Sequence, residues 1–124
     1  MNQYKGEVKG ELGGEERTFR LTFESIVKIE NKLNKSIVSM AQDMAQAKYT
    51  FQDILIILHE GLLGTGKNVL QESVGDWIMK SGIVKASETA GIILASAFTG
   101  ENKENDDPLV KAESTQKTTQ SNNT

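Results

Sequence analysis

The chain contains no cysteine. That excludes a disulfide framework and any thiolate zinc site, and it suits a reducing compartment. Proline occurs once, at Pro108, and histidine once, at His59. A basic excess is also missing: the formal net charge is −3, which argues against a nucleic-acid binder. Long apolar runs are absent, and the longest fall far short of the roughly 20 residues that span a bilayer. The opening "MNQYKGEVKGE" is polar, so no signal peptide is expected. These absences lead us to expect a soluble, cytoplasmic protein.

Apolar residues make up 37% of the 124 positions, low for a globular domain. The shortage has a location. In "ENKENDDPLVKAESTQKTTQSNNT", residues 101–124, only Leu109, Val110 and Ala112 accompany Pro108 as apolar positions. Such a segment cannot bury enough surface to offset its ordering entropy, so 101–124 is expected to be a disordered polar tail. It holds five acidic and three basic residues, which leaves about −1 of the net charge on the remainder. Residues 1–100 read as a single folded domain.

What is present has two periods. In "GEVKGEL", Val8 and Leu12 share a face with Gly10. In "RTFRLTF", Phe19, Leu21 and Phe23 alternate with Thr18, Arg20 and Thr22. The turn signal "GGEE" lies between them, so 4–23 predicts a β-hairpin with one apolar face.

From 24 to 99 the period is helical. Ile26, Ile29 and Leu33 share one face; Ile37, Met40, Ala41 and Met44 follow a candidate N-cap at Ser36. Thr50 caps "TFQDILIILHEGL" with Asp53 three residues on, and Phe51, Ile54, Leu55, Leu58 and Leu62 form its stripe. Leu70, Val74, Trp77 and Ile78 form the next stripe, closed by Gly82. Ser87 opens a last helix carrying Ala90, Ile93, Leu94, Ala97 and Phe98. The fold class is α+β: an N-terminal β-hairpin followed by a compact bundle of about five short α-helices.

One stretch resembles a nucleotide site. "GLLGTGKN", residues 61–68, matches the phosphate loop at Gly61, Gly66 and Lys67 but has Asn68 where a hydroxyl would ligate Mg²⁺. Such a loop needs a buried parallel strand before it. "ILIIL" belongs instead to a capped helical stripe, and the chain supplies no other parallel strands. The stretch is better read as a helix end, a glycine turn and an Asn68 cap. A nucleotide-binding switch through 61–68 stays as an alternative, as does a small nucleic-acid-binding regulator built between Val69 and Phe98.

Catalytic candidates are sparse. His59 has no nucleophile beside it, and Glu30, Asp43, Asp53 and Asp76 show no metal-ligand spacing. His59 is better read as a dipole partner near a helix C-terminus. Lys5, Lys9, Arg17 and Arg20 on the hairpin are interleaved with Glu7, Glu11, Glu15 and Glu16, a mixed solvated surface. No catalytic, cofactor or metal residues are assigned.

Some apolar residues fall off the stripes. Ile56 and Leu63 lie with His59 opposite Leu55 and Leu62, and Met79 lies off the Trp77 stripe. Either this helix is central and covered all round, or it borders a hydrophobic groove for a partner helix. Ile56, Leu62, Leu63, Trp77 and Met79 are therefore the candidate partner-binding residues.

The order of parts resembles a known family. "RLTFESIVKIE", a strand running into a helix with Glu30, and the stretch from Thr50 and Asp53 through Gly61–Leu62 carry the likeness. They resemble the gene-transfer-agent-type family of phage tail assembly chaperones over about Tyr4 to Phe98. The resemblance implies a non-enzymatic protein of tail morphogenesis. It implies a partner too: the long tape-measure protein, kept soluble until tail-tube subunits assemble around it. No cofactor, nucleic acid or membrane is implied, and the protein is not expected in the mature virion.

Overall fold

The computed structural model of the protein describes residues 6–99. The expected disordered tail, 101–124, lies outside the described residues. The architecture is α+β: a two-stranded antiparallel sheet, then five helices. Strands β1 (Glu7–Leu12) and β2 (Glu15–Arg20) pair with Val8 opposite Phe19 and Leu12 opposite Glu15. Gly13 and Gly14 connect them at φ 69° and 86°. Positive φ at both central residues is the demand of the tight hairpin turn whose twist matches the strands.

β2 stops earlier than the alternation predicts. Helix α1 (Phe23–Leu33) begins with a capping box: the Thr22 hydroxyl accepts from the Ser25 N–H, and the Ser25 hydroxyl accepts from the Thr22 N–H, both at 3.0 Å. The reciprocal pair satisfies two orphan donors and favours helix over strand from Phe23. Phe23, expected on the apolar face of the hairpin, is consequently 84% exposed.

α1 ends at Asn34, in the left-handed conformation at φ 55°. Helix α2 (Ile37–Ala45) starts three residues later, capped by Ser36 as expected. A side chain of α1 assists: the Glu30 carboxylate accepts the Ile37 N–H at 2.9 Å. A carboxylate at that helix start also opposes the positive end of its dipole.

Helix α3 (Phe51–Leu63) opens on Thr50, which forms the expected capping box with Asp53. It packs on α1, α4, α5 and β2, and every residue from Asp53 to Leu62 is buried. α3 is therefore the central helix, covered all round. Each large aliphatic so enclosed contributes about 1.5–3 kcal/mol relative to exposure. Phe19 and Leu12 of the hairpin, Ile29, Met40, Val74, Ile78, Ala90 and Ile93 close the core around it.

Helices α4 (Gln71–Ser81) and α5 (Ile83–Thr99) follow, separated by Gly82 alone at φ 97°. Two expected caps fail here. α4 starts at Gln71 with Leu70 at the cap position and no side-chain bond, so Asn68 lies in the connecting loop and caps nothing. α5 starts at Ile83, because the Gly82 carbonyl already accepts the Ala86 N–H at 3.0 Å. Ser87 therefore sits within the helix and donates to the Val84 carbonyl at 2.7 Å. Leu70, expected on the α4 stripe, is 68% exposed.

Candidate partner-binding surface

The glycine-rich stretch resolves into packing roles. Gly61 lies inside α3, where an added Cβ would press on Phe19 at 3.3 Å. Gly64 caps α3 and abuts the Arg20 carbonyl so closely that any side chain would collide with it. Gly66 turns the chain at φ 94° with nothing near it. A helix stands where a phosphate loop needs a strand, and the sheet is antiparallel. The arrangement does not favour the nucleotide reading.

The buried polar groups serve the fold. His59 Nε2–H donates to the Val69 carbonyl at 2.6 Å. The ring thus holds the α3–α4 loop and does not cap the carbonyls of its own helix. Glu60, buried in α3, pairs with Lys32 of α1 at 2.9 Å. Lys35 bridges Asp43 of α2 at 3.0 Å and Asp53 of α3 at 3.2 Å. Its hydrogen bond to Asp43, aided by Asp53 and opposed by desolvation, raises its pKa above the ordinary 10.5. Among the described residues no group of three or more His, Cys, Asp or Glu could hold a metal ion. No helix among them is long and apolar enough to cross a membrane.

The five candidate residues do not come together. Ile56 and Leu62 are each 2% exposed. The packing of α1, α4, α5 and β2 around α3 encloses them, the arrangement of the first alternative, a central helix covered all round. Leu63 is half-buried beside a small polar recess with Thr22, Ser25 and Glu60. Trp77 is half-buried under the hairpin: the Arg17 guanidinium lies 3.7 Å from its ring centre, and the Gly13 backbone packs against it. The guanidinium is thus placed for a cation–π interaction with the ring. Met79 is 67% exposed.

The described residues form two apolar concavities, each of about 570 Å³. The first lies at the α4–α5 elbow, between Met79, Ile83 and Val84. The second is a groove between α2 and α5. Ala41, Met44 and Ala45 form one wall; Gly91, Ala95 and Phe98 form the other, and Leu94 is the floor. The groove exists because its walls are small. Nothing lies within 4 Å of where a Cβ on Gly91 would point. Glu88 borders both concavities, and Thr99 ends the groove. The sequence pattern missed it because Leu94 and Phe98 were read as one stripe, although only Leu94 is buried. The signal was the recurrence of small residues at Ser87, Gly91 and Ala95 on α5 and at Ala41 and Ala45 on α2, the spacing that puts them on one face.

No curated protein and no solved structure matches the chain. A family model does: that of phage tail tube protein, GTA-gp10, over residues 5–100. The match spans the hairpin and all five helices, and the chain belongs to this phage and gene-transfer-agent tail family.

Proposed function

We propose that the protein is a tail-assembly factor that binds the tape-measure protein during morphogenesis and leaves before the particle is complete. The observation that carries this is the family match over the whole described body. The apolar concavities support it. A contiguous apolar patch on a small soluble body marks an interaction site more often than a catalytic one, and long helical partners are commonly held through apolar grooves. In this reading the protein works by burial of a partner's apolar surface, without an active site.

Co-expression tests it. With this chain present, the tape-measure protein should move from the insoluble to the soluble fraction and co-purify with it. Unchanged solubility together with failure to co-purify would remove the basis of the proposal.

A second reading comes from the family's description, tail tube protein: the chain would be a structural subunit of the tube. Such a subunit needs two complementary surfaces, one for its ring neighbours and one for the next ring. The elbow and the groove are two separate apolar concavities, which keeps this reading in play. The two readings part at the finished particle, where a tube subunit persists in many copies and an assembly factor does not.

A further inference from the structure

We propose that α2 is a hinged flap: it opens as a unit while the rest of the body stays folded, and in doing so uncovers the α5 side of the groove. This goes beyond the assembly-factor reading and does not depend on what the chain binds.

Little apolar burial holds α2. Met40 is its single buried residue, whereas each of the other four helices has two or more. Ile37 and Met44 are only half-buried against the core, and Val38 is exposed. The helix rests on α5 and α1. Elements with few buried apolar contacts are the ones that open locally, at a lower free energy than the whole body.

Both ends of the segment turn in the same way. Among the described residues, Asn34 and Ala47 are the only non-glycine positions with positive φ, at 55° and 56°. They stand immediately outside residues 35–46. Asparagine tolerates the left-handed region, but the Cβ of alanine disfavours it. The Ala47 N–H donates to the Met44 carbonyl at 3.2 Å and the Lys48 N–H to the Asp43 carbonyl at 2.7 Å. That is the helix-ending pattern whose left-handed position glycine usually fills. The strain exists only while α2 is seated, so it favours the open state, as stored strain does at switch segments. Polar ties oppose it. Lys35 clasps Asp43 of α2 to Asp53 of α3, and the Glu30 carboxylate accepts the Ile37 N–H. The Lys35 and Asp43 side chains are 27% and 26% exposed, so water weakens their pairing and can replace it. Opening exposes Met40 and removes the wall of Ala41, Met44 and Ala45, which leaves Leu94 and Phe98 of α5 as an open apolar face. A ligand of that face binds in proportion to the fraction open. The strained turn and the clasp thus set its apparent affinity.

Native-state hydrogen exchange of the full-length protein, read by mass spectrometry at neutral pH, tests this. The α2 amides should exchange through an opening at least about a hundredfold more populated than the one that exposes α3. Ala47→Gly relieves the strain of the seated helix, so α2 exchange should slow about threefold. Asp43→Asn removes the clasp, and α2 exchange should rise about two- to fivefold. Val74→Ala cuts a cavity beneath α4, at a residue that is fully buried. It should speed α3 and α4 exchange about tenfold and leave α2 exchange unchanged. The absence of native cysteine allows a second readout. Met40→Cys, at a position 1% exposed, should react with a thiol reagent at a rate that added Ala47→Gly lowers by about the same threefold, and that added Val74→Ala leaves alone.

Several results overturn the proposal. One is α2 amides as well protected as those of α3. Another is α2 exchange that rises with Val74→Ala in step with α3, because α2 would then open only when the whole body unfolds. Fast exchange confined to the last turn of α2, with Met40→Cys protected, would make the event a frayed helix end and not a flap. Unchanged α2 exchange in a folded Ala47→Gly protein would remove the strained turn from the device.

Discussion

Asp53 links three parts of the chain. Its N–H donates to the Thr50 hydroxyl, and its carboxylate accepts from the Thr50 N–H, both at 3.0 Å, and from Lys35 Nζ at 3.2 Å. Thr50→Ala removes one acceptor at the start of the central helix and should cost about 1 kcal/mol in urea unfolding. Lys35 carries a pH signature. Its pKa is raised in the folded state, chiefly by the hydrogen bond to Asp43. Its contribution is therefore complete at neutral pH and is lost as pH climbs above the ordinary 10.5 through the raised folded value. Wild type should lose stability over that alkaline range more steeply than Lys35→Met, whose cost at neutral pH should be about 1 kcal/mol. Parallel pH profiles would show that the bridge contributes nothing. Gly64→Ala must displace the Arg20 carbonyl, and a loss of about 1–3 kcal/mol is expected from such overpacking.

At the scale of elements, the α4–α5 joint depends on one residue. Gly82 adopts φ 97° and ψ 145°, a region nearly reserved for glycine, so Gly82→Ala should destabilise by about 1–3 kcal/mol. Gly91 is the opposite case: it is helical, its Cβ direction is open, and Gly91→Ala should stabilise by roughly 0.5–1 kcal/mol. Thermal melts of the two variants should move in opposite directions. The same contrast explains what the sequence made legible. The hairpin, the Thr50 and Ser36 caps and the five helices follow from local rules, because turn glycines, cap hydroxyls and periodicity act within a few residues. Phe23 and Ser87 misled because each had a plausible local role that a neighbouring bond took over, and Asn68 because α4 begins two residues beyond the position it could cap. The groove was not legible as a site: it needs α2 and α5 side by side, a long-range juxtaposition that no single window contains. The choice between a covered helix and a groove at Ile56 and Leu62 stayed open for the same reason, since their burial depends on which elements surround α3.

For the whole molecule, the core of the described body joins distant parts of the chain: Leu12 and Phe19 from the hairpin meet residues as late as Leu94. The polar composition of 101–124 offers little apolar surface to bury, so a chain ending at Gly100 should melt within about a degree or two of full length. A large drop in melting temperature would mean that the tail docks on the body. The function proposed for that body is transient: it holds the tape-measure protein during assembly and departs. Quantitative mass spectrometry of purified, finished particles tests this most directly, with the assembling cell lysate as reference. The account predicts abundant peptides of this chain in the lysate and none above background in the particles. Stoichiometric presence in finished tails, at several copies per tube ring, would contradict it and make the protein a tube subunit.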